Sequence, residues 1–346
     1  MKVGLVGLDE SGKDSIFQLL TGHGESSHDH KNPEIAEVSV LDDGLDFIFK
    51  TFSPSKKHYV HIQFVILPSI SKESMETRKA LVSIKEVDIV TLVIRQFKNE
   101  NVYHPLGNID PQRDFSYLMD ELIYADLYLL ETRLERIKAQ LKLKKDDFLL
   151  KEQELVVKIQ KILESDKTLH QANLNEAEEK ILKSFSLLTL KPIFVIVNCD
   201  EKDLKEDLTF PKGINSINIS LETELQLNQL EPHEREEYLR ILGINESGIR
   251  RLIKFSYDCG DLITFYTYNE KEARAWAIRK GTTALKAAGH IHTDFEKGFI
   301  RAEVIHYHDL EKAGSEAAAR KNGLYHLEGK DYIVQDRDII KFRFNV

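Results

Sequence analysis

The run Gly7-Leu-Asp-Glu-Ser-Gly12-Lys13-Asp14 matches the phosphate-binding pattern GxxxxGK[ST] up to its last position. In this pattern the glycines let backbone N–H groups converge on phosphate oxygens at a helix N-terminus, and the lysine supplies a positive charge. The run therefore predicts a phosphate-cradling loop. Its predicted nucleotide-binding residues are Gly7, Glu10, Ser11, Gly12, Lys13, Asp14 and Ser15.

Asp14 stands where this pattern has a hydroxyl that coordinates Mg²⁺. Ser15 follows it, but one residue along a helix turns the side chain by about 100°. A carboxylate about 4 Å from a phosphate charge costs on the order of 4 kcal/mol at an effective dielectric of about 20, or roughly a thousandfold in affinity. Two interpretations stay open: Asp14 ligates the metal directly, or it stabilises an empty helix N-terminus.

The elements that position this loop are predicted from apolar runs with helical patterns between them. Several runs are apolar almost throughout, as is typical of parallel strands buried on both faces. The helix that follows the loop, at 13–21, has Ile16, Leu19 and Leu20 as its apolar face. The alternation predicts a doubly wound α/β sheet, with strands at 3–6, 35–41, 59–67, 89–97, 193–197 and 216–219.

A long helical segment interrupts this alternation. Its apolar residues recur with 3-4-3-4 spacing at 127, 130, 134, 137 and 141, and Phe148, Leu155 and Ile162 continue at sevens. The charged run between them, 142–147, has Leu143 as its single apolar residue. This pattern predicts an antiparallel coiled-coil hairpin with a charged tip, and one continuous helix is the alternative.

Composition is that of an ordinary globular protein, with 42% hydrophobic and 30% charged residues. No run reaches the roughly 20 apolar residues of a membrane span. Two cysteines, Cys199 and Cys259, are too few for a four-cysteine metal site or a disulfide framework. We therefore expect a cytoplasmic protein without a membrane partner.

Charge bears on nucleic-acid partners. The formal net charge is −9, whereas residues 262–346 hold 14 Lys/Arg and 12 Asp/Glu, or +2, so that the rest carries −11. The overall balance implies no DNA specificity. The C-terminal segment is where we expect an RNA or ribosome contact.

That segment, from Asp261 onward, contains short strand patterns and glycine-containing turns, and it predicts a small α+β module with a last strand at 338–346. The pairs His290/His292 and His306/His308 would each project from one side if their runs are strands. They are either surface histidines or, with Arg279, Lys280 and Arg301, an RNA-facing surface; Trp276 is either a core residue or a base-stacking one. A second cluster, His23, His28, Asp29 and His30, is either a solvated loop or a metal site.

Asn198-Cys199-Asp-Glu201 follows directly after the predicted strand at 193–197. An Asn-x-x-Glu motif in place of Asn-Lys-x-Asp resembles the YchF (Obg-like ATPase) family of P-loop proteins. The resemblance covers nearly the whole chain and extends to 110–114, 121–127, 187–192, 274–281, 288–303, 329–336 and 342–346.

The resemblance implies a P-loop G domain at 1–113 and 188–260, a coiled-coil insertion at 114–187 and a C-terminal TGS-type β-grasp domain at 261–346. Family members bind ATP in preference to GTP, hydrolyse it slowly and associate with ribosomes. ATP is therefore the expected cofactor, GTP the alternative, and Mg²⁺ stays open. The ribosome or RNA is the expected partner, through the TGS domain and the coiled-coil tip.

The resemblance also assigns residues. Asn198, Cys199 and Glu201 match the base-recognition motif, and His104 falls where the family has a histidine linked to hydrolysis, although a histidine before Pro105 is equally a turn residue. Asp14 is the candidate metal ligand.

Three magnesium-handling positions depart from the family together. Asp14 replaces the hydroxyl; Ile66 and Ser69 replace the Asp and Gly of an Asp-x-x-Gly motif, with a shortened segment 71–75 after it; and 24–33 replaces the first switch. Phosphoryl transfer depends mostly on positioned charge and metal. Two hypotheses follow: an ATP-binding protein whose hydrolysis is weak or lost, or a nucleotide-independent ribosome- or RNA-binding adaptor.

Overall fold

The computed structural model describes residues 1–21, 34–71, 75–165, 168–206 and 208–345, and no side chain at position 171. The predicted first switch at 24–33, the His23/His28/Asp29/His30 cluster and most of the segment 71–75 lie outside the described residues.

The first sheet has six strands, in the spatial order β2-β4-β1-β5-β6-β7. Its pairs β1/β4, β1/β5, β5/β6 and β6/β7 are parallel, which confirms the doubly wound α/β prediction. The strands are β1 (Lys2–Gly7), β2 (Ile35–Val40), β4 (Val60–Ile66), β5 (Ile89–Arg95), β6 (Ile193–Asn198) and β7 (Asn215–Ile219). Between β2 and β4 lie α2 (Asp43–Phe52) and β3 (Lys56–His58).

The central strands are buried on both faces. All residues of β5 and β6 are buried, which explains their almost unbroken apolar sequences. The helices that accompany this sheet are α1 (Lys13–Thr21), α3 (Met75–Ile84), α6 (Glu176–Leu182), α7 (Leu221–Gln229) and α8 (Pro232–Leu242), and α9 (Gly248–Cys259) follows α8 in the chain. In α1 the buried apolar residues are Ile16, Phe17 and Leu20; Leu19, predicted on that face, is only half-buried.

Two long helices form the insertion, α4 (Pro111–Leu143) and α5 (Asp147–Leu163). They are separate because Lys144 leaves the helical conformation and the Asp146 carboxylate accepts hydrogen bonds from the backbone of Phe148 and Leu149, which starts a new helix. The hairpin prediction is therefore confirmed over the single continuous helix.

The seam of this hairpin differs from the prediction by one residue at the tip. On α5 the buried positions are Glu152, Leu155, Val156, Ile159 and Leu163, and Leu149 and Ile162 pack partly buried against them. Phe148 lies off this register and is 59% exposed, so its predicted place in the seam is wrong. Glu152 is buried in the seam because Arg133 of α4 donates to both of its oxygens, at 2.6 and 2.9 Å.

The C-terminal part forms a second six-stranded sheet, in the order β11-β10-β12-β8-β9-β3. Five strands come from the C-terminal region: β8 (Leu262–Tyr268), β9 (Glu272–Arg279), β10 (Phe299–His306), β11 (His326–Glu328) and β12 (Asp338–Phe344). Its helices are α10 (Ala284–Ile291), α11 (Thr293–Lys297), α12 (Tyr307–Ala313) and α13 (Glu316–Lys321). The predicted α+β module is confirmed.

The alternative in which each histidine pair projects from one side of a strand is wrong. His290 lies in α10 and His292 directly after it, while His306 ends β10 and His308 lies in α12. The pairs therefore do not share the alternation of a strand. Trp276 is half-buried on β9, donates from Nε1 to Thr267 Oγ1 at 2.9 Å and carries the Arg274 guanidinium over its ring.

An early segment of the chain contributes to this second sheet. β3 pairs in parallel with β9, and α2 packs Leu45 and Ile48 against the buried face of Tyr266. The Tyr266 hydroxyl also donates to the Asp42 carboxylate at the start of α2, at 2.8 Å.

By contact density the chain divides into two compact units, 1–37 with 63–252 and 38–62 with 253–346. The three-domain boundaries stay a prediction. None of the described helices is long and apolar enough to cross a bilayer.

Candidate nucleotide site

The phosphate loop lies between the end of β1 at Gly7 and the start of α1 at Lys13. It is tightly folded: a Cβ at Gly7 would lie 2.6 Å from Ser11 Oγ and 2.7 Å from the carbonyl oxygen of Val93. Gly12 has φ of 95° and Glu10 has φ of 59°, so both are in the left-handed region, which glycine tolerates and glutamate adopts at a cost. The loop conformation is therefore imposed by its surroundings.

Lys13 is buried, and its ammonium is bound inside the loop region. It donates to Ser69 Oγ at 2.7 Å and lies 3.8 Å from a carboxylate oxygen of Asp14. The Asp14 side chain is 45% exposed, so water screens this ion pair. Asp14 thus neutralises part of the charge that the loop would offer to a phosphate. Ser15 is half-buried beside it.

Ser11 joins the loop to the base motif. Its carbonyl oxygen accepts a hydrogen bond from Asn198 Nδ2 at 3.1 Å, and Asn198 is itself buried at the end of β6. Within the described residues the buried Ser11 hydroxyl has no hydrogen-bond partner. A buried hydroxyl without a partner is costly, and a phosphate oxygen at this loop would satisfy it. The loop and its orphaned hydroxyl fit a bound nucleotide.

The other two motif residues are held differently. The backbone N–H of Cys199 donates to the Ile219 carbonyl at 3.0 Å, and burial raises the pKa of its thiol to about 12. Glu201 is exposed, and its Oε2 accepts from the hydroxyls of Thr223 at 3.2 Å and Tyr238 at 2.8 Å. The hydrogen bond to Glu201 raises the pKa of Tyr238. Two hydroxyls therefore orient the Glu201 carboxylate.

His104 is buried, with both ring nitrogens engaged. Nε2 lies 2.9 Å from Asp114 Oδ2, and Nδ1 accepts from the backbone of Leu106 at 3.2 Å. These roles assign the imidazole proton to Nε2. Asp114 is also bound by Arg113. His104 thus ties its loop to α4, and its predicted link to hydrolysis stays a prediction.

Sequence reasoning missed Arg95, although a charged residue at the end of an apolar strand is a usable signal. Its guanidinium is buried at the carboxyl end of β5 and donates to four backbone carbonyls, those of Phe97, Asn99, Val102 and Tyr103. Burial lowers its pKa, while the nearby charge of Glu10 opposes that shift. Arg95 therefore organises the loop that leads to His104. Tyr238 and Thr223 were missed as well, because they lie far from Glu201 in sequence.

The residues for metal binding fit less well. The Ile66 side chain, in place of the Asp, cannot coordinate a cation, and Ser69 is engaged by Lys13. Among the described residues, no group of three or more His, Cys, Asp or Glu is arranged to hold a metal ion. Asp14 as a lone magnesium ligand stays a prediction.

Comparison with known proteins agrees with the motifs. The YchF-GTPase_C family model, described as a protein of unknown function, matches residues 262–345. "Ribosome-binding ATPase YchF" of Bacillus subtilis is 35% identical over all of both chains, and its Haemophilus influenzae namesake is 36% identical over 100% of this chain and 99% of its own.

A solved structure agrees over the whole fold. The Schizosaccharomyces pombe YchF GTPase superposes with a TM-score of 0.87 and 28% identity, covering 99% of this chain and 97% of its own. Full-length relatives, the shared fold and the Asn-x-x-Glu motif agree, and the chain belongs to the YchF/Obg-like ATPase family.

Proposed function

We propose that this chain is a P-loop protein that binds a purine nucleoside triphosphate, ATP rather than GTP, and that its hydrolysis is weak or lost. The phosphates bind at Gly7, Glu10, Ser11, Gly12, Lys13, Asp14 and Ser15, and the base binds near Asn198, Cys199 and Glu201. The observation that carries the proposal is the hydrogen bond from Asn198 to the Ser11 carbonyl, which joins the base motif to the phosphate loop, while the Ser11 hydroxyl has no partner among the residues that the structure describes.

The weak hydrolysis rests on three residues. Asp14 places a negative charge beside the phosphates, and the Ile66 side chain offers no oxygen to a cation. Ser69 holds the Lys13 ammonium, which must leave it to reach a phosphate. Because phosphoryl transfer relies on positioned charge, these residues bind and orient a nucleotide better than they stabilise its transition state.

A titration tests the nucleotide proposal. ATP, ADP and GTP are titrated calorimetrically into the full-length protein with and without Mg²⁺. Binding of ATP in the micromolar range, with weaker GTP binding, supports the proposal. No binding at millimolar ATP would sink it. Phosphate release is measured alongside, and turnover comparable to that of ordinary ATPases would contradict the weak-hydrolysis part.

The ribosome is the proposed partner, in the cytoplasm, because the bacterial relatives are named ribosome-binding ATPases. Two surfaces support a contact with RNA. One is offered by the exposed cations Arg279, Lys280 and Arg301, which lie at different points of the C-terminal sheet; the other is the hairpin tip, where 142–148 are all exposed and Leu143 is 89% exposed.

Cosedimentation with ribosomes tests this partner. We expect Arg279→Glu/Lys280→Glu/Arg301→Glu, and separately Lys142→Glu/Lys144→Glu/Lys145→Glu, to weaken it. Lys312→Glu/Lys321→Glu/Lys330→Glu, with the same charge change elsewhere in the C-terminal unit, is the control. Equal loss in the control would refute the placement of the contact.

The second candidate is a nucleotide-independent adaptor that keeps the architecture. It is favoured by the contacts of Lys13 within the protein, because its ammonium already has Ser69 and Asp14 as partners. Ribosome cosedimentation that is unchanged by ATP, in a protein that binds no nucleotide, would establish this candidate instead.

A further inference from the structure

A surface groove of about 550 Å³ lies on the insertion, away from the phosphate loop residues. Its walls come from α4, from the residue that follows α3 and from the turn after α6. The side chains that carry its chemistry are Lys85, Tyr128, Thr132, Arg133, Arg136 and Phe185. Its volume lies within the range of small-ligand sites.

One face of α4 forms most of the groove. Tyr128, Thr132 and Arg136 recur every fourth residue, so they project as one row along the helix. Leu129 and Arg133 belong to the neighbouring row. Leu129 packs on the main core, which gives the groove an apolar floor beneath polar and aromatic side chains.

The groove is positively charged. The lining residues found in the described part of the chain include three cations and no acid, in a protein whose formal net charge is −9. Arg133 is fixed by the buried Glu152. Across the described ranges, neither Lys85 nor Arg136 makes an ion pair within 4.0 Å. Arg136 and Lys85, whose charge also acts on the buried Asp126, are therefore the cations available for an anionic ligand.

Two aromatic rings line the same groove. Tyr128 is 74% exposed on α4, and Phe185 lies after α6 with the Arg133 guanidinium 5.9 Å from its ring centroid. An exposed ring in a groove with phosphate-binding cations is a combination that binds single nucleotides by stacking.

An acidic peptide fits this groove less well. The main wall is an α-helix, whose backbone N–H and C=O groups are already bonded within the helix. The lining residues that the structure describes include no sheet edge to pair with an extended peptide. Recognition must therefore use side chains, which favours a ligand with a planar ring and a phosphate.

We propose that this groove binds a nucleotide unit, with its phosphate on Lys85 or Arg136 and its base against Tyr128. The unit is either a free nucleotide or one residue of a single-stranded RNA. The site goes beyond the phosphate loop and beyond the two surfaces proposed for the ribosome.

The experiment uses the full-length protein and fluorescence anisotropy of a short, labelled single-stranded RNA. We expect Lys85→Glu/Arg136→Glu to lower its affinity by about tenfold or more and to reduce the salt slope by about 2. The matched control is Lys138→Glu/Lys161→Glu, the same charge change at exposed positions of α4 and α5 outside the groove. Tyr128→Ala should weaken binding several-fold and Tyr128→Phe should preserve it.

Direct titration with UMP, which lacks a triphosphate, distinguishes a free nucleotide from a nucleotide within an RNA strand as the ligand. Binding of UMP and RNA, both lost in the charge-reversed variant, supports a nucleotide unit within a strand; binding of UMP alone, lost in the same variant, supports a free nucleotide. Equal loss in the control variant, no effect of the groove variants, or competition by poly-glutamate but not by UMP would each overturn the proposal. Thermal unfolding of every variant separates these outcomes from misfolding.

Discussion

The ammonium of Lys13 donates a hydrogen bond to the hydroxyl of Ser69 across 2.7 Å in the buried interior. Ser69 stands where the family resemblance expects the glycine of an Asp-x-x-Gly motif. Ser69, which departs from the family pattern, and Lys13, which matches it, are therefore hydrogen-bonded to each other. A phosphate competes with this hydroxyl, and with Asp14, for the ammonium of Lys13.

Removing the hydroxyl should release the lysine. We expect Ser69→Ala to raise ATP affinity about fivefold, because one hydrogen bond of about 1 kcal/mol no longer has to be exchanged. The unliganded protein should lose a similar free energy of unfolding. Calorimetric titration and urea denaturation measure the two effects. Ser83→Ala on α3 is the control, and an ATP affinity that falls in Ser69→Ala would show that Ser69 itself contacts the nucleotide.

Replacing Asp14 by a hydroxyl residue should change the affinity for ATP by removing a negative charge. Asp14→Ser removes a carboxylate from the start of α1 and leaves Lys13 with its full charge. We expect ATP affinity in Mg²⁺ to rise by about tenfold or more, which is less than the full repulsion because the carboxylate is partly solvated. Asp14→Asn, which removes the charge without adding a magnesium-binding hydroxyl, separates repulsion from metal binding. Unchanged affinity in both variants would mean that Asp14 does not limit binding.

Tyr238 should influence base selection through Glu201. Its hydroxyl orients the carboxylate without belonging to the Asn-x-x-Glu motif. We expect Tyr238→Phe to reduce the preference for ATP over GTP by about threefold to tenfold, while the affinity for inorganic triphosphate stays constant. Competition titrations measure the ratio. Tyr124→Phe, at an exposed tyrosine of α4, is the control; a uniform loss for all ligands would contradict the orienting role.

His104 should act on stability. Replacing it by Ala removes a hydrogen bond to the buried Asp114 and opens space beside α4. We expect a loss of about 2–4 kcal/mol in the free energy of unfolding, while ATP affinity at a temperature where the variant is folded changes little. Tyr103→Ala, next to it but 75% exposed, should cost far less. Unchanged stability together with lost hydrolysis would instead favour a direct catalytic role.

Glu303 on β10 makes a pH-dependent contribution to the free energy of unfolding. Burial opposes its ionisation, but hydrogen bonds from Arg320 and Arg343 outweigh burial and lower its pKa below the ordinary 4.5. The folded protein therefore binds this proton more weakly than the unfolded chain. The stability that it adds is present above pH 4.5 and is lost as the pH falls through the folded-state pKa.

We expect Glu303→Gln to cost about 1–3 kcal/mol at neutral pH, and the difference from the wild type to shrink in acid. Urea denaturation across the acid range measures this difference. Glu270→Gln, at an exposed residue of the same unit, should show no such trend. A difference that grows in acid would reverse the sign that the contacts require.

The strands and the phosphate loop could be predicted because their signals are local. β5 and β6 are apolar over most of their length, since both faces are buried, and Gly7 to Lys13 form one contiguous motif. The hairpin was predictable for the same reason. The prediction for the tip was wrong because Phe148 lies seven residues before Leu155 and so fits the heptad spacing. In the structure Asp146 caps α5, and Leu149 is the residue of its first turn that packs inward.

The partners of the motif residues could not be predicted. Ser69 lies 56 residues from Lys13, and Tyr238 lies 37 residues from Glu201. Only the folded sheet and the helices after β7 bring these groups together. The sequence indicated which positions depart from the family pattern, but not that one departure, Ser69, binds a residue that is preserved.

The parallel pairing of β3 with β9, together with α2, has a consequence for dissection of the protein. A fragment that begins at Leu262 would keep the segment matched by the C-terminal family model and lose the strand that covers β9 and the helix that covers Tyr266. Such a fragment would expose an unpaired sheet edge, which favours self-association. Conversely, truncation before Leu262 would strip α2 of its packing surface. The C-terminal unit is thus built from two distant stretches of chain that must fold together. We expect neither fragment to fold on its own.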